Sequence, residues 1–213
     1  SFYINALKRL GTRKTLSIDA LSPILANILG TVLMNETLQM KSWIGASIVT
    51  LSLIGIISDK RNRFKGEIVS KSNDSLGVFF AVISVLCAVL AAILSRLVLI
   101  TSNLMPFQTT EIRLLGAILF LLPVSRVNFN YIFYQISIEN KLKIFIATLL
   151  GTNIGILLQQ TVFHLLPIGI GWTILSVSPV VSVIFAKMEG ELITWISVVF
   201  AVTTVLGVAI AII

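Results

Sequence analysis

The chain lacks the coat of a water-soluble protein. Only 12% of its 213 residues are charged, against 56% that are hydrophobic. A soluble domain carries about 25% charged residues, so a core of this size in water would need a polar surface that is missing. Cysteine occurs once, at Cys87, which excludes an intramolecular disulfide. Histidine occurs once, at His164, which excludes a histidine-rich metal cluster. HExxH, the Walker phosphate loop, paired-cysteine motifs and GxSxG are all missing, so no enzyme signature is present and no cofactor or metal is expected. Acidic residues are few, 9 against 16 Lys and Arg, for a net charge of +7. Such a balance suits nucleic acid, but here the basic residues lie in loops between apolar stretches, where a membrane protein keeps them. No nucleic-acid partner is expected.

What the chain does have is apolar length. No residue between Lys143 and Lys187 carries a formal charge. About 20 apolar residues cross a bilayer once as a helix, so this run reads as two spans joined at His164-Leu-Leu-Pro-Ile-Gly-Ile-Gly171. Seven spans are expected in all, near 16–35, 42–58, 77–100, 106–125, 142–161, 168–186 and 193–213. The fourth is the weakest, with Glu111 and Arg113 near its start. Lipid offers backbone groups no partners, and the runs are too long for barrel strands, so the fold class is all-α, a polytopic membrane bundle.

One hydrophilic stretch, Asp59 to Ser75, is rich in basic residues and separates two spans from five. It divides the chain into 1–58, a linker 59–76, and 77–213. At the start, a short apolar segment precedes Lys8, Arg9, Arg13 and Lys14. That is the reverse of a cleaved signal peptide, as though a preceding helix ended there.

The two parts repeat one another. Ser22-Pro23 recurs as Ser178-Pro179, 156 positions on. A carboxylate follows each proline, Glu36 and Glu191, in a turn where capping is expected. Trp43 and Gly55 bound the second span as Trp195 and Gly207 bound the seventh, 152 positions on. Internal repeats of this kind are a mark of secondary transporters. The stretch Ala6-Leu7, Ser22-Pro23 to Asn35-Glu36, then Trp43-Ile-Gly-Ala46 resembles the end of an EamA-type domain of the drug/metabolite transporter superfamily. Ser178-Pro179, Gly190-Glu191 and Trp195 resemble it again, and Arg113 stands where such domains often carry an arginine. Two departures are Asn35, where glycine is usual, and Asp19, where the helix is usually apolar.

The resemblance implies two five-helix repeats of inverted topology, with residues 17–57 overlaying 173–209. This chain would hold helices four and five of the first repeat and all of the second, with three further spans before Ser1. It implies a permease of the plasma membrane that moves a small organic metabolite, amino-acid-like or amine-like, by alternating access around a midplane site. A non-transporting membrane scaffold and an intramembrane enzyme are the alternatives. On orientation two readings disagree. All basic residues except Lys41, Arg96 and Arg113 fall on one side, which the positive-inside rule makes cytoplasmic, leaving Ile213 outside. Ten-helix relatives are expected to keep both termini inside.

Asp19 is the most unusual residue. An aspartate within a span costs about 2.5–3.5 kcal/mol on insertion scales, so it faces a cavity, binds a cation, or sits at the interface near Lys14. Asn153, Gln160 and His164 share one helical face, spaced seven and four; they line a cavity or bond between helices. Trp172 and Ser176 share a face of the sixth span, although Trp172 also suits the interfacial aromatic belt. With Ser22 and Asn27, these make the candidate substrate-binding set: Asp19, Ser22, Asn27, Asn153, Gln160, Trp172 and Ser176. Small residues every four positions (Ser22, Ala26, Gly30; Ala147, Gly151, Gly155) are expected to let helices pack closely. Pro23 and Pro179 are expected to kink their spans.

Overall fold

The computed structural model describes residues 2–58, 75–124, 137–177, 180 and 195–213. The basic linker up to Asp74, the Ser178-Pro179 pair, Lys187 and Glu191 lie outside the described residues. Among the described residues all regular structure is helical and no strand occurs. The helices are α1 Phe2–Leu10, α2 Thr12–Asp19, α3 Ser22–Met34, α4 Met40–Ser58, α5 Ser75–Thr101, α6 Pro106–Val124, α7 Ile138–Thr148, α8 Gly155–Leu165, α9 Ile168–Leu175 and α10 Trp195–Ile212. A π-helical stretch, Leu149–Ile154, joins α7 to α8.

Five segments among the described residues are long and apolar enough to cross a membrane: Lys14–Met34, Met40–Ile57, Ser75–Thr101, Ile138–Leu165 and Trp195–Ile212. They match five of the expected spans. The expected fourth forms a helix, α6, over the residues read for it. The expected sixth is described as α9.

The first span is not one helix. It breaks at Ala20 and Leu21 into α2 and α3. Pro23 therefore stands in the first turn of α3, not inside a helix as the apolar run led one to expect. A proline there loses no hydrogen bond, since the first amides of a helix have no partner anyway. At its other end α3 stops on Asn35, left-handed at φ 53°, and the Glu36 N–H reaches back to the Gly30 carbonyl at 3.4 Å. This explains asparagine where glycine is usual: after glycine, it is the residue that most readily takes that conformation.

The chain forms two bodies, one of Ser1–Leu94 and Leu166–Ile213, the other of Ser95–Leu165. In the first, α4 and α10 pack along their length. Ser42 Oγ donates to the Ala211 carbonyl at 3.3 Å, and the Ser52 and Thr203 hydroxyls share a hydrogen bond of 2.8 Å. Gly45 lies against Gly207 and Ala211, and Gly55 against Phe200. Rising numbers on α4 meet falling numbers on α10, so the two helices run antiparallel. Helix α3 crosses α9 with Gly30 under Ile168. The small residues Ser22, Ala26 and Gly30 are all buried, as their spacing implied.

In the second body α6 lies beside α8. Here the other small-residue row behaves differently. Nothing outside its own helix lies within 4 Å of a Cβ built at Gly151, and only the Leu150 carbonyl approaches one at Gly155. No side chain of α7 or of the π stretch is buried. The expected close packing at Ala147, Gly151 and Gly155 is therefore not made among the described residues. The row is broken by the π stretch, which turns Gly151 off the α-helical period that Ala147 and Gly155 would share.

Candidate functional site

Helices α2 and α9 are the same construction made twice. Each has eight residues, Thr12–Asp19 and Ile168–Leu175, 156 positions apart. Each is entered through a residue of extended ψ, Gly11 and Pro167. Each ends in a two-residue turn, Ala20-Leu21 and Ser176-Val177, directly before a Ser-Pro pair. The offset is the one that separates the two Ser-Pro pairs in the sequence. A break leaves the last carbonyls of a half-helix without helical partners, and such discontinuous helices are where secondary transporters place their sites.

The two breaks share one apolar cluster. Ala20 is buried with Val49, Leu53 and Ile56 of α4 and with Val180, and Val177 and Phe200 pack against it. This cluster brings residues from both Ser-Pro regions onto the α4–α10 pair. Four of the seven candidate residues lie in or beside the two helices that end at these breaks. Asp19 ends α2 and is half-buried. The Ser22 hydroxyl, fully enclosed, donates to the Asp19 backbone carbonyl, capping the carbonyl end of the half-helix. The Tyr3 phenol on α1 titrates above its ordinary range, through burial first and then the nearby Asp19 charge. Trp172 and Ser176 are half-buried at the far end of α9, where the Ser176 hydroxyl donates to the Trp172 carbonyl at 2.9 Å.

Asn27 stands apart from the breaks. It is fully buried between α3, α4 and α9. Its Nδ2 donates to the Ser42 carbonyl at 3.5 Å, while Oδ1 has no hydrogen-bond partner and presses on the backbone of Gly169. A side chain at residue 169 would occupy the space that Asn27 fills. In this conformation Asn27 is a packing residue with an unspent acceptor.

The remaining two candidates belong to the second body. Asn153 falls within the π stretch and is half-buried. A π-helix advances fewer degrees per residue than an α-helix, so the shared face read from α-helical spacing is distorted there. Gln160 is fully buried on α8, and neither its amide nitrogen nor its oxygen has a partner. Leaving such a group unpaired costs about 1–3 kcal/mol. His164 is exposed in the last turn of α8 and lines an open cavity of about 490 Å³ with Ser102, Asn103 and the apolar Leu99 and Met105. Arg96 Nη1 donates to the Phe163 carbonyl at 2.5 Å, placing a cation at the negative end of α8. Among the described residues no group of three His, Cys, Asp or Glu side chains could hold a metal.

Two features escaped the sequence reading. The helix breaks did, although a Ser-Pro pair inside an apolar run is also the signal of a new helix starting. So did the partner of Glu36: its Oε2 accepts the Ile168 N–H at 2.9 Å. That contact spans 132 positions, and no local pattern announces it.

A family model for EamA-like transporters matches residues 75–213. The match covers the second part of the chain, where α5 to α10 lie. Neither a curated protein nor a solved structure matches the chain. Proteins of this family are integral membrane transporters of small molecules, usually in the plasma membrane, and the five membrane-crossing segments fit that setting. By the residues its helices share with that model, the chain belongs to the EamA-like transporter family.

Proposed function

We propose that this protein is a permease for a small organic metabolite, amino-acid-like or amine-like, and that it works by alternating access. The observation that carries this reading is the pair of equivalent helix breaks, after Asp19 and after Leu175, meeting in one apolar cluster. We take 1–58 as the end of a first repeat, 59–76 as a linker and 77–213 as a second, inverted repeat. The antiparallel α4–α10 pair supports inversion. Helices related by an axis in the membrane plane run in opposite directions, whereas an axis along the membrane normal leaves them parallel.

In this reading the substrate meets Asp19, Ser22, Trp172 and Ser176 at the breaks, and the buried or half-buried polar side chains of Asn27, Asn153 and Gln160 are further candidates, each within its own body. The Asp19 carboxylate, at the negative end of half-helix α2, favours a cation. An ammonium group of an amine or amino acid satisfies that preference. Apolar walls from α4 and α10 suit the rest of a small organic molecule. Bound lipid surrounds the outer faces.

The test is uptake by the full protein reconstituted in lipid vesicles, using radiolabelled amino acids and small primary amines as probes. Saturable uptake of at least one cationic or zwitterionic probe is the expected result. Uptake no faster than in protein-free vesicles for every probe, with folded protein present, would refute the permease.

A further inference from the structure

Glu36 lies outside the candidate substrate site, yet it makes a polar contact that spans 132 positions. Its Oε2 accepts the Ile168 N–H at 2.9 Å. Ile168 is the first residue of α9, and Pro167 before it has no N–H, so this amide opens the helix. The carboxylate thus faces the positive end of α9, where charge and hydrogen bond act together. Around this bond the packing is close, with Ile168 and Asn27 both fully buried. Gly30 sits under Ile168 with no side chain between, and a Cβ there would also stand 3.1 Å from Glu36 Oε2. One turn back, Asn27 rests on the backbone of Gly169. Asn27, Gly30 and Glu36 therefore form one seam, between the end of α3 and the start of α9. The seam joins the first copy of the repeat to the half-helix of the second. Its two glycines let the helices approach closely, and the Glu36 carboxylate adds a charged tie across that contact.

We propose that Glu36 is a positioning residue for transport: its carboxylate ties the start of α9 to the end of α3 in one access state, and release of that tie accompanies the change to the other. This rests on the permease reading above. The physical case is that a short half-helix moves as a rigid piece when its end is freed. Alternating access requires contacts between the two copies that exist in one state only. The half-helix carries Trp172, and Ser176 follows at its far end, so its movement changes which side of the membrane reaches the break.

Two measurements on the full chain in vesicles test this. The first replaces Cys87 by serine and Ser176 by cysteine, and adds a membrane-impermeant sulfonated maleimide to one side of the vesicles, then to the other. Glu36→Ala is expected to raise labelling about tenfold from one side and lower it from the other, with Glu36→Gln between, since it keeps an acceptor but not the charge. A carboxylate that only stabilises the fold would, when removed, raise labelling from both sides. That result, or no change, overturns the proposal. The second needs no reporter cysteine. Amide hydrogen exchange of the 168–175 peptide should accelerate in Glu36→Ala while the 195–212 peptide stays as in the wild type. Equal acceleration of both peptides, or of neither, also overturns it. Neither measurement uses a substrate. A one-sided shift in a protein that transports nothing counts against the permease and leaves the tie; transport with no shift does the opposite.

Discussion

Replacing Gly45 by alanine probes the crossing of α4 and α10. A Cβ built there would stand 2.5 Å from the Gly207 carbonyl oxygen, 2.6 Å from the Ala211 Cβ and 2.7 Å from the Ala211 nitrogen. Non-bonded carbon atoms settle at about 3.5–4.0 Å, so the helices must separate by about 1 Å. Two of the three obstacles are backbone atoms and the third is a fixed methyl, so none can swing aside. Overpacking of this kind costs about 1–3 kcal/mol. The parting also stretches the Ser42–Ala211 and Ser52–Thr203 hydrogen bonds, each worth about 0.5–1.5 kcal/mol. Against this, alanine in a helix gains about 1 kcal/mol over glycine. The net is a loss of about 2 kcal/mol.

Two control substitutions set the scale. Gly55→Ala meets only the ring edge of Phe200, at 2.6–2.7 Å. A half-buried ring can rotate away, so the clash and the propensity gain nearly cancel. Gly116→Ala meets nothing within 4 Å and keeps the gain of up to about 1 kcal/mol. Thermal unfolding of the purified protein in detergent reads all three. For a chain of this length 1 kcal/mol corresponds to about 2–4 °C. Gly45→Ala should melt about 4–8 °C below the wild type, Gly55→Ala within about 2 °C of it, and Gly116→Ala slightly above it. If Gly45→Ala proved as stable as Gly116→Ala, the close antiparallel crossing would not exist.

Asp19→Asn keeps the size of the side chain and removes its charge; uptake of a cationic probe should fall at least about tenfold while the amount of protein in the membrane holds, because a neutral group is cheaper to bury. Uptake at the wild-type level would remove Asp19 from the site and leave Asn153 and Gln160 as the next candidates. Gln160→Met exchanges a buried amide with two unpaired atoms for an apolar chain of similar volume, so melting should rise by a few degrees as about 1–3 kcal/mol of desolvation is relieved. A simultaneous loss of uptake marks the amide as a substrate contact, and unchanged uptake marks it as inert. Asn35→Ala should lower stability by about 1 kcal/mol and Asn35→Gly should not, since only alanine resists the left-handed turn; equal melting of the two would show that the turn does not hold that conformation.

Much of this molecule is legible in its composition and periodicity because lipid is a strict solvent. A run of apolar residues long enough to cross has one structural answer, and five of the expected spans appear where the runs lie. What escaped is local geometry within a run. Hydropathy is blind to the two-residue breaks at Ala20 and Ser176, since these residues are as compatible with a membrane interior as their neighbours. The Ser-Pro pairs carried the information in another form. For Pro23 the apolar run suggests a kink in a continuous helix, whereas a proline with no amide to lose stands at a helix start. The π stretch at 149–154 is equally hidden, and it shifts Asn153 on the helical wheel relative to Gln160.

The proposed repeat draws support from two directions. The sequence shows it as residue identities, Ser-Pro twice and Trp…Gly twice. The described helices include two segments of eight residues, Thr12–Asp19 and Ile168–Leu175, each followed by a turn, at the same offset of 156. Residue identity and backbone shape are separate observations, and apolar helices that resemble one another by chance have no reason to break at equivalent places. The family match covers only 75–213, so it bears on the second copy and leaves the first to these two observations. Their agreement gives Asp19 its weight. At its equivalent position the second copy carries Leu175, so the charge belongs to one copy alone. In the proposed permease, one charged break would treat the ends of an asymmetric substrate differently, an amine at α2 and an apolar portion at α9.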